Sequence, residues 1–322
     1  MELIQEFRRS DIFPASLRTV VALAAVLGMP ALQAAESEPP QRVTIRGYHT
    51  DAMEPFITKD GRYLLFNNSN DPRVDTNLQY ATRIDDLTFE YAGSIRGANS
   101  AVLDGVPSMD ANGQLYFIST RSYTQNLATV YRGQFDKGAL SGLEPASGLS
   151  PKKKGSLIFD AEVSADGSTL FAVDGKFSGD PVPDSADIFI AVRDGSGFRR
   201  LPESAAILKN VNTSALEYAP AVSADLLELF FTRGPRMFQK SPVILHASRT
   251  RADEPFGVPR PVPLITGFVE APSLSKDGCW LYFHKNDGGR FAIYRVDSGA
   301  NCLPAESAAA GLNSTQKRKS GS

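Results

Sequence analysis

Apolar residues in this chain fall in short unbroken runs, and each run follows the same turn phrase. The phrase is a Pro or Ala, four residues, then an Asp or Asn: Pro55 to Asp60, Pro107 to Asn112, Ala161 to Asp166, Pro220 to Asp225 and Pro272 to Asp277. The runs behind it are Leu64-Leu65-Phe66, Leu115-Tyr116-Phe117-Ile118, Leu170-Phe171-Ala172-Val173, Leu229-Phe230-Phe231 and Leu281-Tyr282-Phe283. Runs this short, bounded by turn residues, read as buried strands. Recurrence roughly every 50–60 residues is the signature of a repeat architecture.

Within each repeat a polar loop leads to a second β-rich run, over 78–83, 128–132, 188–192, 243–248 and 291–296. A less regular strand follows, such as 89–95. With the strand that leads into the turn, each repeat carries four strands and no helix. That describes an all-β, five-bladed β-propeller of four-stranded blades over 42–303, with six blades as the alternative. The fifth blade lacks an outer strand, and 42–47 is a strand left over, so the N-terminal strand is expected to close the last blade. Asp-Gly supplies the positive φ a tight turn needs. Asp225 is followed by Leu226 instead, so the fourth turn is expected to be distorted.

The phrase Pro272 to Gly278, followed by Leu281-Tyr282-Phe283 and Ala292-Ile293-Tyr294, resembles the TolB-type WD-like propeller repeat. The resemblance spans nearly the whole chain after its leader and rests on structural residues. It implies an exported ring offering loops and a central channel to partners, although TolB-like propellers commonly have six blades. Some relatives are enzymes, and fold alone does not choose among them.

Location is legible at the ends. Arg8, Arg9 and Arg18 precede an apolar stretch over 20–27, then Gly28, Pro30 and the small residues of 31–35. This order is that of a secretory signal over 1–35, and the stretch is too short to span a bilayer. The protein is therefore expected to be periplasmic or secreted, with no membrane span once the signal is removed. Residues 304–322 lack a periodic apolar face and read as a disordered tail. Cys279 and Cys302 are the two cysteines of the chain, and in an exported protein they would pair. The net charge of −2 offers no field for nucleic acid. His49, His246 and His284 are scattered, so no metal site and no cofactor is expected, and a His-dependent lyase centre is unsupported.

Candidate chemistry sits just before the turn phrases. Glu54, Asp104, Asp160, Glu217 and Glu270 each stand one to three residues ahead of the Pro or Ala. Inner strands of a propeller start at one mouth of its channel, so these five carboxylates could surround a single opening. They would hold a ligand there, or each would bond its own blade's backbone. The loops on the same face are unlike one another: Asn68, Asn70, Asp71, Arg73 and Asp75 in the first repeat, Asp184 in the third, Arg236 and Phe238 in the fourth. Variable loops on a rigid frame suggest recognition. The sequence is thus read as an exported non-catalytic binding or scaffold module for an envelope protein or glycan. The alternative is a carbohydrate-active enzyme, a glycoside hydrolase or lyase, using carboxylates at the mouth.

Overall fold

The computed structural model describes residues 38–300 apart from 72, 181 and 236–240. The expected signal over 1–35, the tail over 304–322, Cys302, Arg236 and Phe238 lie outside the described residues.

The chain is built from successive antiparallel units. The first follows two short strands, β1 (Gln41–Arg42) and β2 (Thr44–Arg46), and contains β3 (Met53–Ile57), β4 (Tyr63–Asn67), β5 (Leu78–Arg83) and β6 (Thr88–Ser94). The second holds β7 (Asp104–Met109), β8 (Gln114–Ser119), β9 (Val130–Asp136) and β10 (Ala139–Pro145). The third holds β11 (Ser156–Val163), β12 (Thr169–Lys176), β13 (Ser185–Asp194) and β14 (Gly197–Arg200). In the fourth are β15 (Leu216–Val222), β16 (Glu228–Gly234), β17 (Val243–Ser248) and β18 (Arg260–Pro261), and in the fifth β19 (Val269–Leu274), β20 (Trp280–Asp287) and β21 (Arg290–Asp297). Each unit runs as a meander, and a single parallel bridge, Ala186 to Leu216, links the third to the fourth.

The N-terminal strand divides its pairing. Gln41 and Arg42 add antiparallel to β21, while Thr44 to Arg46 lie parallel to β6 at the edge of the first unit. One segment thereby supplies the missing outer strand of the last unit and staples it to the first.

The core explains the unbroken apolar runs. Side chains alternate across a strand, and the second strand of each unit is packed on both faces. Leu65 joins Leu115 and Phe117 between the first two units, whereas Tyr116 and Ile118 pack against Val163 and Leu170 of the third. Phe171 and Val173 meet Leu229 and Phe231, and Phe230 meets Leu281 and Phe283. Leu64 and Phe66 then pack with Tyr282 and Ile293, returning the last unit to the first. The inner strands β3, β7, β11, β15 and β19 likewise touch in succession, and β19 touches β3.

The turn phrase closes each hairpin through its polar side chains. In the fifth repeat Ser275 Oγ donates to Asp277, whose Oδ1 accepts Cys279 N–H at 3.1 Å, while Ser275 Oγ accepts Trp280 N–H at 2.9 Å. Thr58, Ser164 and Ser223 repeat the arrangement with Asp60, Asp166 and Asp225. The fourth turn departs from expectation. Leu226 adopts φ 64°, close to the 71–74° of Gly61, Gly167 and Gly278, and its N–H donates to Ser223 O as in the other turns. The side-chain clasp is strong enough to hold a leucine in left-handed backbone, a conformation that costs about 1–2 kcal/mol.

Candidate functional site

Each inner strand carries a bulge just ahead of its turn phrase. The pairing register shifts between Met53 and Phe56, Gly105 and Ser108, Ile158 and Asp160, Tyr218 and Ala221, and Glu270 and Ser273. The residue directly before the Pro is left-handed in four repeats: Glu54 (φ 50°), Val106 (56°), Ala219 (49°) and Ala271 (56°). A bulge breaks simple alternation. As a result, three consecutive positions of the repeat enter three different environments.

The position before the Pro or Ala points to the axis. Glu54, Val106, Asp160, Ala219 and Ala271 line one narrow central cavity of about 20 Å³, room for a single water. One position earlier, Met53, Phe159, Tyr218 and Glu270 line a larger cavity of about 730 Å³ above it. Two positions earlier, Asp104 and Glu217 turn away between the sheets and are fully buried (0% exposed). Asp104 accepts from Arg121 Nη2 at 2.5 Å and from Ser100 N–H and Oγ; Glu217 accepts from Arg233 Nε at 2.6 Å and from Thr213 N–H and Oγ1. Glu54 and Asp160 thus line the axial cavity and Glu270 the larger one, while Asp104 and Glu217 brace their own repeats.

Glu54 and Glu270 share a connected hydrogen-bond network through His284, while Asp160 is held by backbone amides. Glu54 Oε1 accepts from Asn70 Nδ2 at 2.6 Å, and Asn70 Oδ1 accepts from Asn67 Nδ2 at 2.8 Å. Glu270 Oε1 accepts from the Tyr218 hydroxyl, and Glu270 Oε2 lies 3.2 Å from His284 Nε2. His284 Nδ1 accepts Glu54 N–H at 3.1 Å. Asp160 is 6% exposed and is bonded by the backbone amides of Ala219 and Ala161.

Burial dominates the electrostatics. It pushes the Glu54 carboxyl above its ordinary range, with His284 opposing and Glu270 adding to the rise. Burial pushes Asp160 well above its usual value, the Glu54 charge adds to it, and the two backbone amides only partly oppose. Tyr218 is also raised well above its usual value by burial, then by Glu270. A carboxyl with raised proton affinity is of the kind that can act as a general acid, and Glu54 stands beside further carboxyls.

The wall above is apolar and aromatic. Phe159, Phe268, Phe291, Val74 and Leu216 face the cavity together with Asp51, Asn70 and Asp71. Of the loop residues singled out from the sequence, Asn70 and Asp71 reach it. Asp71 is held to about pKa 2 by its bond to Arg73 at 2.7 Å. Asn68 braces its own loop by donating to Asp75 O and accepting Asn77 N–H. Asp184 accepts from Ser178 beside the lining residues Val182 and Pro183. Tyr218, His284 and the aromatic wall were not among the residues the sequence singled out. Among the described residues no group of three or more His, Cys, Asp or Glu is placed to hold a metal ion, and no helix is long and apolar enough to cross a membrane.

No family model matches the chain, and no curated protein matches it by sequence. Solved structures do. A glycoside hydrolase aligns over 84% of this chain and 94% of its own, with TM-score 0.56 and 12% identity. An exo-β-1,3-galactanase, so named provisionally, from Bifidobacterium bifidum s17 covers 83% and 95% at TM-score 0.52 and 12% identity. A family 117 glycoside hydrolase produced by the marine bacterium Zobellia galactanivorans covers 81% and 90% at TM-score 0.51 and 12% identity. The chain thus has the propeller-type fold of these hydrolases, and its TolB-like phrase marks that fold and no more. The expected non-catalytic binding or scaffold module gives way here: structures sharing the fold over most of both chains are carbohydrate-active enzymes.

Proposed function

We propose that this protein is a five-bladed propeller that hydrolyses a glycosidic bond at the mouth of its central channel. The observation that carries the reading is that Glu54 and Glu270, from two different inner strands, are joined through His284, with Glu270 lining the aromatic-walled cavity and Asp160 sharing the axial cavity with Glu54. Two of the three are pushed upward in pKa. A cavity of about 730 Å³ falls in the range of small-molecule sites and would accept one or a few sugar rings. The hydrolase names attached to the fold's relatives support the same class, and favour hydrolysis over the lyase alternative.

In this reading protonated Glu54 gives its proton to the glycosidic oxygen as the C–O bond breaks. Glu270, gripped at both oxygens, takes the proton of the water that adds to the anomeric carbon. Burial, and the neighbouring Glu270 charge, keep the acid's proton affinity high, while Asp160 shares its cavity. Phe159, Phe268 and Phe291 offer faces for the apolar side of a sugar. The leader over 1–35 would send the enzyme to the periplasm or outside the cell, where polymeric glycans are met.

The test is a hydrolysis screen of the purified protein on nitrophenyl glycosides and on galactan, arabinan and xylan oligosaccharides, with Glu54→Gln and Glu270→Gln alongside. The expected result is release of a sugar by the wild type, reduced about 10²–10⁴-fold in either variant. Hydrolysis undiminished in both variants, or none by the wild type across the panel, rejects the reading.

A further inference from the structure

The second strand of each repeat carries a buried position seven residues past the turn Asp or Asn. It holds Asn67, Ser119, Val173, Thr232 and His284 in the five repeats. The polar members are all fully buried. At three junctions this side chain accepts the N–H of the left-handed residue of the neighbouring inner strand. Val106 N–H donates to Asn67 Oδ1 at 3.1 Å, Ala271 N–H to Thr232 Oγ1 at 3.1 Å, and Glu54 N–H to His284 Nδ1 at 3.1 Å. The bulge leaves that amide without a ladder partner, and a buried orphan amide costs about 1–3 kcal/mol. The shared purpose of the column is thus to satisfy one amide.

For that purpose a hydroxyl or a carboxamide is enough, as Asn67 and Thr232 show. An imidazole does more, because its second nitrogen lies on the far side of the ring. Nδ1 accepts a hydrogen bond from Glu54 N–H and so carries no proton of its own. The proton of the neutral ring is then on Nε2, 3.2 Å from Glu270 Oε2. The ring also stands edge-on to Phe291 of the cavity wall, with centroids 5.4 Å apart. Among these five positions, His284 alone ties the backbone of one cavity-lining acid to the side chain of another. It does so where the chain's two ends are stapled together.

We propose that His284 is a positioning residue, held as the Nε2–H tautomer, which sets the Glu270 carboxyl relative to Glu54. A His at a position that holds Asn, Ser, Val and Thr in the other repeats is what makes this junction part of the site. The proposal rests on the hydrolase reading for its kinetic consequence, but its geometry can be tested without activity. The groups that face the ring are the Glu54 amide and carboxyl, Glu270 and Phe291, with the Tyr218 hydroxyl on the other oxygen of Glu270.

Two substitutions separate the two halves of the role. His284→Asn places an acceptor where Nδ1 lies, as Asn67 does in the first repeat, and cannot reach Glu270. His284→Gln places a donor near the Nε2 position and leaves the Glu54 amide unserved. The full-length protein would be followed by carboxyl and imidazole NMR, by thermal melting and, once a substrate is found, by kcat and KM against pH. The expected wild-type spectrum shows an unprotonated Nδ1 and a protonated Nε2. Asn should melt near the wild type but move the Glu270 carboxyl resonance and lower kcat about 10- to 100-fold with KM little changed. Gln should melt lower while keeping the Glu270 carboxyl resonance closer to that of the wild type. A protonated Nδ1 in the neutral ring overturns the proposal, as does a His284→Asn variant whose Glu270 carboxyl resonance is unchanged. If the wild type hydrolyses nothing, the proposed function fails while these spectra still decide the role of His284.

Discussion

Glu54 and Asp160 occupy the same position of the first and third repeats, each directly before the turn phrase, and both line the 20 Å³ cavity on the axis. The Glu54 charge is the second largest cause, after burial, of the rise in the Asp160 pKa. Placing two carboxyls in one water-sized space is unfavourable, and nothing in the packing of the repeats requires it. The second, fourth and fifth repeats put Val106, Ala219 and Ala271 at that position. The pair therefore costs stability that the repeat fold does not itself demand.

That cost has a definite dependence on pH. A carboxyl whose folded pKa is raised binds more protons in the folded state, so its burial is free of penalty in acid. Stability then falls as pH climbs from about 4, where an unfolded aspartate ionises, up through the raised folded value. Asp160→Asn should remove the penalty while its side-chain oxygen still accepts from the Ala219 and Ala161 amides. Thermal melts are expected to show the variant more stable than the wild type at pH 7.5, by about 0.5–2 kcal/mol. The two should converge below pH 4. A variant less stable than the wild type at pH 7.5 would mean the amide bonds outweigh the buried charge.

Asp104 predicts the opposite behaviour. Its carboxyl is fully buried and Arg121 lies over it, with the guanidinium also against the Phe117 and Tyr131 rings. Removing one partner strands the other charge, which typically costs 3–5 kcal/mol. Urea unfolding of Asp104→Ala should show about that loss, and Glu217→Ala a similar one through Arg233. Neither should alter KM or the pH profile of the folded enzyme. Full stability with altered kinetics would return these two acids to the mouth of the channel.

The contrast between these acids shows what a sequence can disclose. The repeat period, the strand runs and the closing N-terminal strand are all legible, because burial on both faces of the second strand writes an unbroken run into the chain. The window of one to three residues before the Pro or Ala contains Glu54, Asp160 and Glu270, which line the two cavities, and also Asp104 and Glu217, which do not. The bulge decides between them, and it is marked only by positive φ at the pre-Pro residue. His284 carried a signal in the column Asn67, Ser119, Thr232, which becomes visible once the repeats are aligned strand by strand. The walls at 182–183, 234–235 and 241–242 come from loops with no periodicity, so no pattern announces them.

At the other end of the inner strands an ion pair crosses between repeats. Lys59 Nζ lies 3.2 Å from Glu162 Oε1, both side chains under 9% exposed, and Ser108 Oγ donates to Glu162 Oε2 at 2.7 Å. Burial raises the Glu162 pKa and Lys59 holds it down. Lys59→Met should therefore destabilise increasingly above pH 4, as Glu162 must either ionise alone or stay protonated. Adding Glu162→Gln should recover most of the loss, giving a coupling of about 1–3 kcal/mol in a double-mutant cycle. Additive effects would show that the pair contributes nothing beyond its two members.

Tyr218 offers the sharpest separation of packing from chemistry. Its ring packs against Phe159, with centroids 6.2 Å apart, and its hydroxyl donates to Glu270. Tyr218→Phe keeps the first contact and deletes the second, so the fold should be barely disturbed. A hydrogen bond to a charged group is worth roughly 1.5–3 kcal/mol, which corresponds to a fall in kcat of about 10- to 100-fold. Burial and the Glu270 charge hold the phenol's pKa well above its ordinary value of 10.0, so it stays a donor throughout the accessible range. Loss of the hydroxyl should then lower the whole pH–rate profile, while an alkaline limb near 10 should be absent from wild type and variant alike. A variant with unchanged kcat and unchanged profile would show that His284 alone suffices to hold Glu270, and that Tyr218 serves the cavity only as a wall.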